Sequence, residues 1–159
     1  MANFDAFLNR LESSEIAFRS SLKGCSDSEI AALEEKFGIS LPASYHWYLS
    51  MMGHRSGRLL THDHYAAAYQ HVLTLTDDYK EDWEPGPHVQ LPADSLVIVG
   101  RLGEQFLMIR CNSIDDSPVW YFNEYGTDVR EAYPTVFDWL CSLATDAELA
   151  IKSGYFKCK

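Results

Sequence analysis

The sequence predicts an α+β fold, a single domain over residues 1–159 in which N-terminal and C-terminal helices pack on a mainly antiparallel sheet. Three observations point there. The stretch from Ser26 to Gly53, SDSEIAALEEKFGISLPASYHWYLSMMG, has the spacing and stop signals of two short helices with a shared apolar side. After Pro85-Gly86-Pro87 the texture changes to short apolar runs bounded by turn residues, and helical spacing returns only near the C-terminus. A chain of 159 residues with 47% apolar and 13% aromatic content can also build a core of ordinary size without staples.

Taken in order, Phe4, Phe7, Leu8 and Leu11 follow helical spacing with Asn3 as a cap, while Glu15 to Cys25 reads as a connector. Ser26 and Glu29 have capping-box spacing. Ile30, Leu33 and Phe37 then share a face, Glu34, Glu35 and Lys36 face water, and Gly38 supplies a positive-φ stop. A second helix begins at Pro42, places Tyr45, Tyr48, Leu49 and Met52 together, and ends at Gly53. Gly57 to Thr61 is a short strand candidate. From Asp63 to Trp83 the pattern is divided: Tyr65, Tyr69, Val72 and Leu73 fit a helix, yet Val72 to Thr76 also fits an extended segment. Leu96 to Val99 and Phe106 to Ile109 form a hairpin across Leu102-Gly103-Glu104, and Val119 to Phe122 is a third strand. Because these runs lack a clean polar alternation, both sheet faces should be partly covered. Asp128 to Pro134 leads into a helix carrying Val136, Phe137, Leu140 and Leu143, followed by a last helix from Ala147 to Lys152 that Gly154 stops.

The ordered set Glu29-Ile30, Leu33-Glu34, Phe37-Gly38, Leu41-Pro42, Tyr45, Leu49 and Gly53 resembles the N-terminal signature of the SMI1/KNR4 family, also called the SUKH superfamily. The strands from Val97 to Arg110, the VWYFN segment at Val119 to Asn123 and Phe137-Asp138-Trp139-Leu140 follow in that family's order, so the likeness covers nearly the whole chain. What the resemblance implies is a binding protein, in bacteria typically an immunity protein that neutralises a polymorphic toxin, with no shared catalytic motif. Regulators and scaffolds also occur in the family. The His-rich and acidic insert from His62 to Pro87 departs from the minimal pattern.

A formal net charge of -10 repels phosphate backbones and anionic membrane surfaces and attracts basic partners. Direct nucleic-acid binding is therefore not expected. Cys25, Cys111, Cys141 and Cys158 show neither CxxC spacing nor the density of a disulfide scaffold, which fits a reducing, cytoplasmic setting. Met1 to Leu11 reads as an amphipathic helix rather than a leader, and no apolar run is long enough to span a membrane.

Asp77, Asp78, Glu81, Asp82 and Glu84, interleaved with Tyr79 and Trp83, form the acidic run from Asp77 to Glu84, read here as a loop. Carboxylates can take arginine bidentately while a desolvated aromatic supplies a hot spot, so these seven residues are the expected partner-binding site. A toxin whose active-site surface is basic, above all a nuclease, would be matched by such a phosphate-like face. Weighed against it is a small metal-dependent hydrolase using His54, His62, His64 and His71, whose spacing matches no strong metal motif. Gly53-His54-Arg55-Ser56-Gly57 places arginine where a nucleophile elbow needs serine, and no phosphate-cradling glycine motif is present. No catalytic residue, metal ligand or cofactor is therefore assigned.

Overall fold

The computed structural model describes residues 2–59, 66–81, 86–112 and 115–158, with the side chains of residues 157 and 158 excepted. Its helices are α1 (Phe4–Ser13), α2 (Asp27–Phe37), α3 (Ala43–Met52), α4 (Tyr69–Glu81) and α5 (Val136–Lys152), and its strands β1 (Ser95–Arg101), β2 (Gln105–Arg110), β3 (Val119–Asn123) and β4 (Val129–Tyr133). The strands form one antiparallel meander in the order β1-β2-β3-β4. Short 3-10 turns occupy Arg19–Ser21 and Tyr155–Cys158.

Local chemistry explains the N-terminal elements. The Asn3 side chain accepts from the Ala6 amide at 3.0 Å, opening α1, whose buried face is Phe7, Leu8 and Leu11. In α2 both halves of the Ser26–Glu29 capping box are made, and Gly38 ends the helix at φ +63°. Glu34 departs from its expected place in water: it is half-buried, and its carboxylate accepts from the Leu41 amide at 2.7 Å, which clamps the turn into α3. Tyr45, Tyr48, Leu49 and Met52 are fully buried on α3, as their spacing predicts. Aromatic rings then join three helices: Phe4 of α1 stacks on Trp47 of α3 at 4.1 Å and meets Phe137 of α5 edge-on at 5.4 Å. Arg10 of α1 also grips Glu148 of α5 bidentately, at 2.9 and 3.0 Å.

Both faces of the sheet are covered. Leu96 pairs with Ile109 and Val99 with Leu107 on the side facing α1, α2, α3 and α5, while Val97 pairs with Met108 and Gly100 with Phe106 on the side facing α4. A bulge between Val97 and Val99 makes Ile98 an extra residue, so β1 can be buried almost throughout without losing register on either side. The Leu75 side chain of α4 packs on β1 closely enough that a Cβ on Gly100 would lie 2.6 Å from Leu75 Cδ2. Two further contacts occupy the free edge of β1. Ala66 exchanges both backbone hydrogen bonds with Gly100, at 2.7 and 3.0 Å, and the Thr76 hydroxyl accepts from the Val97 amide at 3.0 Å.

Several sequence readings change. The divided segment resolves as helix from Tyr69 to Glu81, because Val72, Leu75, Thr76 and Tyr79 all turn toward the sheet at helical spacing. Gly57 to Leu59 is a turn rather than a strand, with Gly57 at φ +66°; Leu60 and Thr61 lie outside the described residues. The segment before the C-terminal helix contains β4, and the two expected C-terminal helices are one continuous α5 capped by Thr135, whose hydroxyl accepts from the Asp138 amide.

Candidate partner-binding surface

The described part of the acidic run is not a loop: it is the last turn of α4. That turn is fixed by Tyr79, whose hydroxyl donates to the Val89 carbonyl at 3.0 Å and whose ring meets Phe106 and Phe122 edge-on at 5.2 and 5.0 Å. Tyr79 is buried, so it cannot serve as the exposed aromatic anchor expected of it; it supports the acidic turn from beneath. Burial pushes its phenol above the ordinary tyrosine value, and the neighbouring Glu124 adds to that. Asp77 is half-buried and pairs with Lys36 of α2 at 2.9 Å, a bond Lys36 shares with the Leu73 carbonyl. Asp78 and Glu81 are exposed. Asp82, Trp83 and Glu84 lie outside the described residues.

Two strand connections complete the surface. In the β1–β2 turn Leu102 takes φ +56° and is 76% exposed, followed by Gly103 at φ +73° and the exposed Glu104. Tyr125, 68% exposed, projects from the β3–β4 connection. The Glu124 amide donates to the Glu104 carbonyl at 2.8 Å, locking the two connections side by side. Between them and α4 runs a cleft of about 270 Å³ whose walls include Asp78, Tyr79, Gly103, Phe106 and Glu124. Carboxylates from two segments, Asp78 of α4 and Glu124 of the β3–β4 connection, thus face one depression, and the turns beside it carry exposed Leu102, Glu104 and Tyr125. Guanidinium groups fit such a border through charge-assisted hydrogen bonds, and Leu102 and Tyr125 offer the apolar contact that hot spots need. Glu104, Glu124, Leu102 and Tyr125 are not part of the expected site. Leu102 alone gave a hint, as an apolar residue at the tip of a glycine-containing turn.

A larger cavity, about 420 Å³, opens on the other sheet face among Arg101, Gln105, Tyr121, Arg130 and Tyr133. Arg130 lies 4.7 Å over the Tyr121 ring, and Arg101 donates to Gln105 at 3.1 Å. Its lining combines the two arginines and two tyrosines with one carboxylate, Glu131, in contrast to the purely acidic charge lining the cleft beside α4. Of the four histidines weighed as an alternative site, His62 and His64 lie outside the described residues, His71 is half-buried on α4, and His54 sits with Cys25 and Glu29. Cys25, Cys111 and Cys141 are free thiols, and burial pushes the first two up to about 12. Among the described residues no helix is long and apolar enough to cross a membrane.

Helices flanking a four-stranded antiparallel meander define an α+β domain, with an acidic helix end beside two strand turns at one end of the sheet. The model of the SUKH_5 family, described as SMI1-KNR4 cell-wall, matches residues 4–144, and the chain belongs to that family. The matched span runs from α1 into α5 and includes every strand. No curated protein matches the chain.

Proposed function

We propose that the protein is an immunity protein that binds a cognate polymorphic toxin in the cytoplasm and blocks it by covering a basic active-site surface, with a nuclease as the toxin class. On this reading it acts by binding and performs no chemistry of its own. The observation that carries the proposal is the cleft that Asp78 and Glu124 share, beside the two hydrogen-bonded strand connections that carry exposed Leu102, Glu104 and Tyr125, in an acidic chain of the SMI1-KNR4 family. A nuclease must present positive charge to its substrate, and a carboxylate-rimmed cleft can occupy that charge as phosphate does. Asp82, Trp83 and Glu84 extend the same acidic run and belong to the proposed interface with Asp77, Asp78 and Glu81.

The test begins with the partner recovered from native cells and a growth assay in which that partner is expressed with and without this chain. Reversing Asp78 and Glu81 to lysine should slow association at least about tenfold and abolish protection, because steering acts on the encounter rate. Thermal stability should change little, since exposed charges contribute weakly to folding. Tyr125→Ala should act on dissociation instead, with a loss of about 2 kcal/mol in binding. Full protection by the charge-reversed variant, or association indifferent to salt, would move recognition to another face.

A further inference from the structure

Three metal-ligating side chains from separate stretches of the chain meet at the start of α2. Cys25 precedes the cap, Glu29 occupies the third helical position, and His54 follows α3. Backbone pairing forces the meeting: the Lys23 amide donates to the Arg55 carbonyl at 3.0 Å, the Lys23 carbonyl accepts from the His54 and Arg55 amides at 2.9 and 3.0 Å, and the Cys25 amide donates to Leu49 at 2.8 Å. Glycine is needed at both crossing points. A Cβ on Gly24 would lie 1.7 Å from the Ser50 carbonyl oxygen, and one on Gly53 would lie 2.5 Å from Cys25 Sγ.

The resulting set has the composition and spacing of a cation site. One ligand atom from each residue, a sulfur, a carboxylate oxygen and an imidazole nitrogen, lies within 4.8 Å of the other two. Bonds of about 2.0–2.3 Å to a tetrahedral ion would set such atoms roughly 3.5 Å apart, so modest side-chain adjustment suffices. His54 Nε2 already stands 3.0 and 3.1 Å from the two Glu29 oxygens. The orientation of the ligands is fixed from behind. Glu29 Oε2 accepts from the Ser26 amide at 2.8 Å, the Tyr69 ring meets His54 edge-on at 5.4 Å, and the Tyr69 hydroxyl donates to the Glu29 carbonyl at 2.7 Å. Cys25 is buried while Glu29 and His54 are half-buried, which leaves one side open to solvent.

We propose that Cys25, Glu29 and His54 form a site for Zn²⁺, with water as the fourth ligand. Thiolate and imidazole select a borderline ion over Mg²⁺ or Ca²⁺. On binding, the Sγ–metal bond replaces the S–H bond and the proton passes to solvent. The ion would pin the segment before α2, the first turn of α2 and the turn after α3 to one point, a structural role independent of the partner-binding proposal.

The full chain, purified without an affinity tag and stripped with a chelator, is titrated with Zn²⁺ by calorimetry and with Co²⁺ by absorption. The expected result is one Zn²⁺ per chain at micromolar affinity or tighter, a thiolate-to-cobalt charge-transfer band, and a thermal midpoint that rises with Zn²⁺. Cys25→Ser should remove the band and weaken Zn²⁺ binding at least about tenfold, while Cys111→Ser and Cys141→Ser leave both unchanged. Should Cys25→Ser fail to fold, Glu29→Gln carries the test, because glutamine preserves the capping box but is a poor ligand. It should keep the metal-free midpoint and lose the rise with Zn²⁺. A cobalt spectrum without the thiolate band, a band that survives Cys25→Ser, or Glu29→Gln binding Zn²⁺ as tightly as the parent chain would each overturn the site.

Discussion

The two faces of the sheet are built differently. One is covered by α1, α2, α3 and α5 around Tyr45, Tyr48, Leu33 and Trp139, a broad cluster that joins the N-terminal helices to the C-terminal one. The other is covered by α4 over seven buried residues, Leu75, Tyr79, Val89, Val97, Phe106, Met108 and Phe122. The broad side holds most of the buried apolar residues. The narrow side, with its smaller core, holds an acidic helix end against two turns.

The sharpest way to break this contrast is truncation on each side. Tyr48→Ala should cost about 3–5 kcal/mol in chemical denaturation and lower the protection of amides throughout, because the ring is fully buried against Trp139 at 5.5 Å. Phe122→Ala should cost about 3 kcal/mol, with α4 amides exchanging faster while those of α2 and α3 hold. Equal loss of protection in all helices after Phe122→Ala would show a single cooperative core.

Two buried tyrosines sharpen the comparison further. Tyr79 on the narrow side donates to Val89, whereas the Tyr45 hydroxyl on the broad side finds no hydrogen-bond partner among the described residues. Tyr79→Phe should therefore destabilise by about 1 kcal/mol and Tyr45→Phe should stabilise by about 1 kcal/mol, since an unsatisfied buried hydroxyl is a net cost. Opposite signs in paired thermal melts are the outcome to look for; the same sign for both would contradict the assignment.

The smallest effect concerns the α1–α5 tie. Arg10, helped by Ser14 and Lys152, holds the Glu148 carboxyl at about 2. A carboxyl whose folded value lies below its unfolded value of about 4.3 stabilises the fold above that unfolded value, and the contribution disappears as pH falls through the folded one. Denaturation midpoints of the parent chain should fall between about pH 5 and about pH 2.5 more than those of Glu148→Gln. Both side chains are partly exposed, so salt should shrink the difference.

The broad side was legible in the sequence because its signals are local: Ser26 with Glu29, Gly38, and the spacing of Tyr45, Tyr48, Leu49 and Met52 all lie within one stretch. The narrow side was less so. Val72 to Thr76 fits both a helix and an extended segment, and only the long-range packing of Leu75 and Tyr79 on Phe106 and Phe122 chooses helix. β4 was missed because four of its five residues are exposed, which leaves no apolar alternation to read. The candidate surface was half legible: the carboxylates of α4 were visible as a run, but Glu104 and Glu124 reach it only through strand pairing. Cys25, Glu29 and His54 likewise meet through the Lys23–Arg55 bridge, which no local pattern announces.

The short pairing of Ala66 with Gly100 matters beyond its two hydrogen bonds. An open meander ends in two rows of backbone donors and acceptors that could recruit a strand from another molecule, and such recruitment is the first step toward fibrils. Ala66 occupies part of one row, and the Thr76 hydroxyl takes an amide from the same strand. At the opposite border, β4 carries adjacent exposed Arg130 and Glu131, which disfavour flat stacking of like strands. Both margins of the sheet thus carry features that disfavour edge-to-edge pairing with a strand of another molecule.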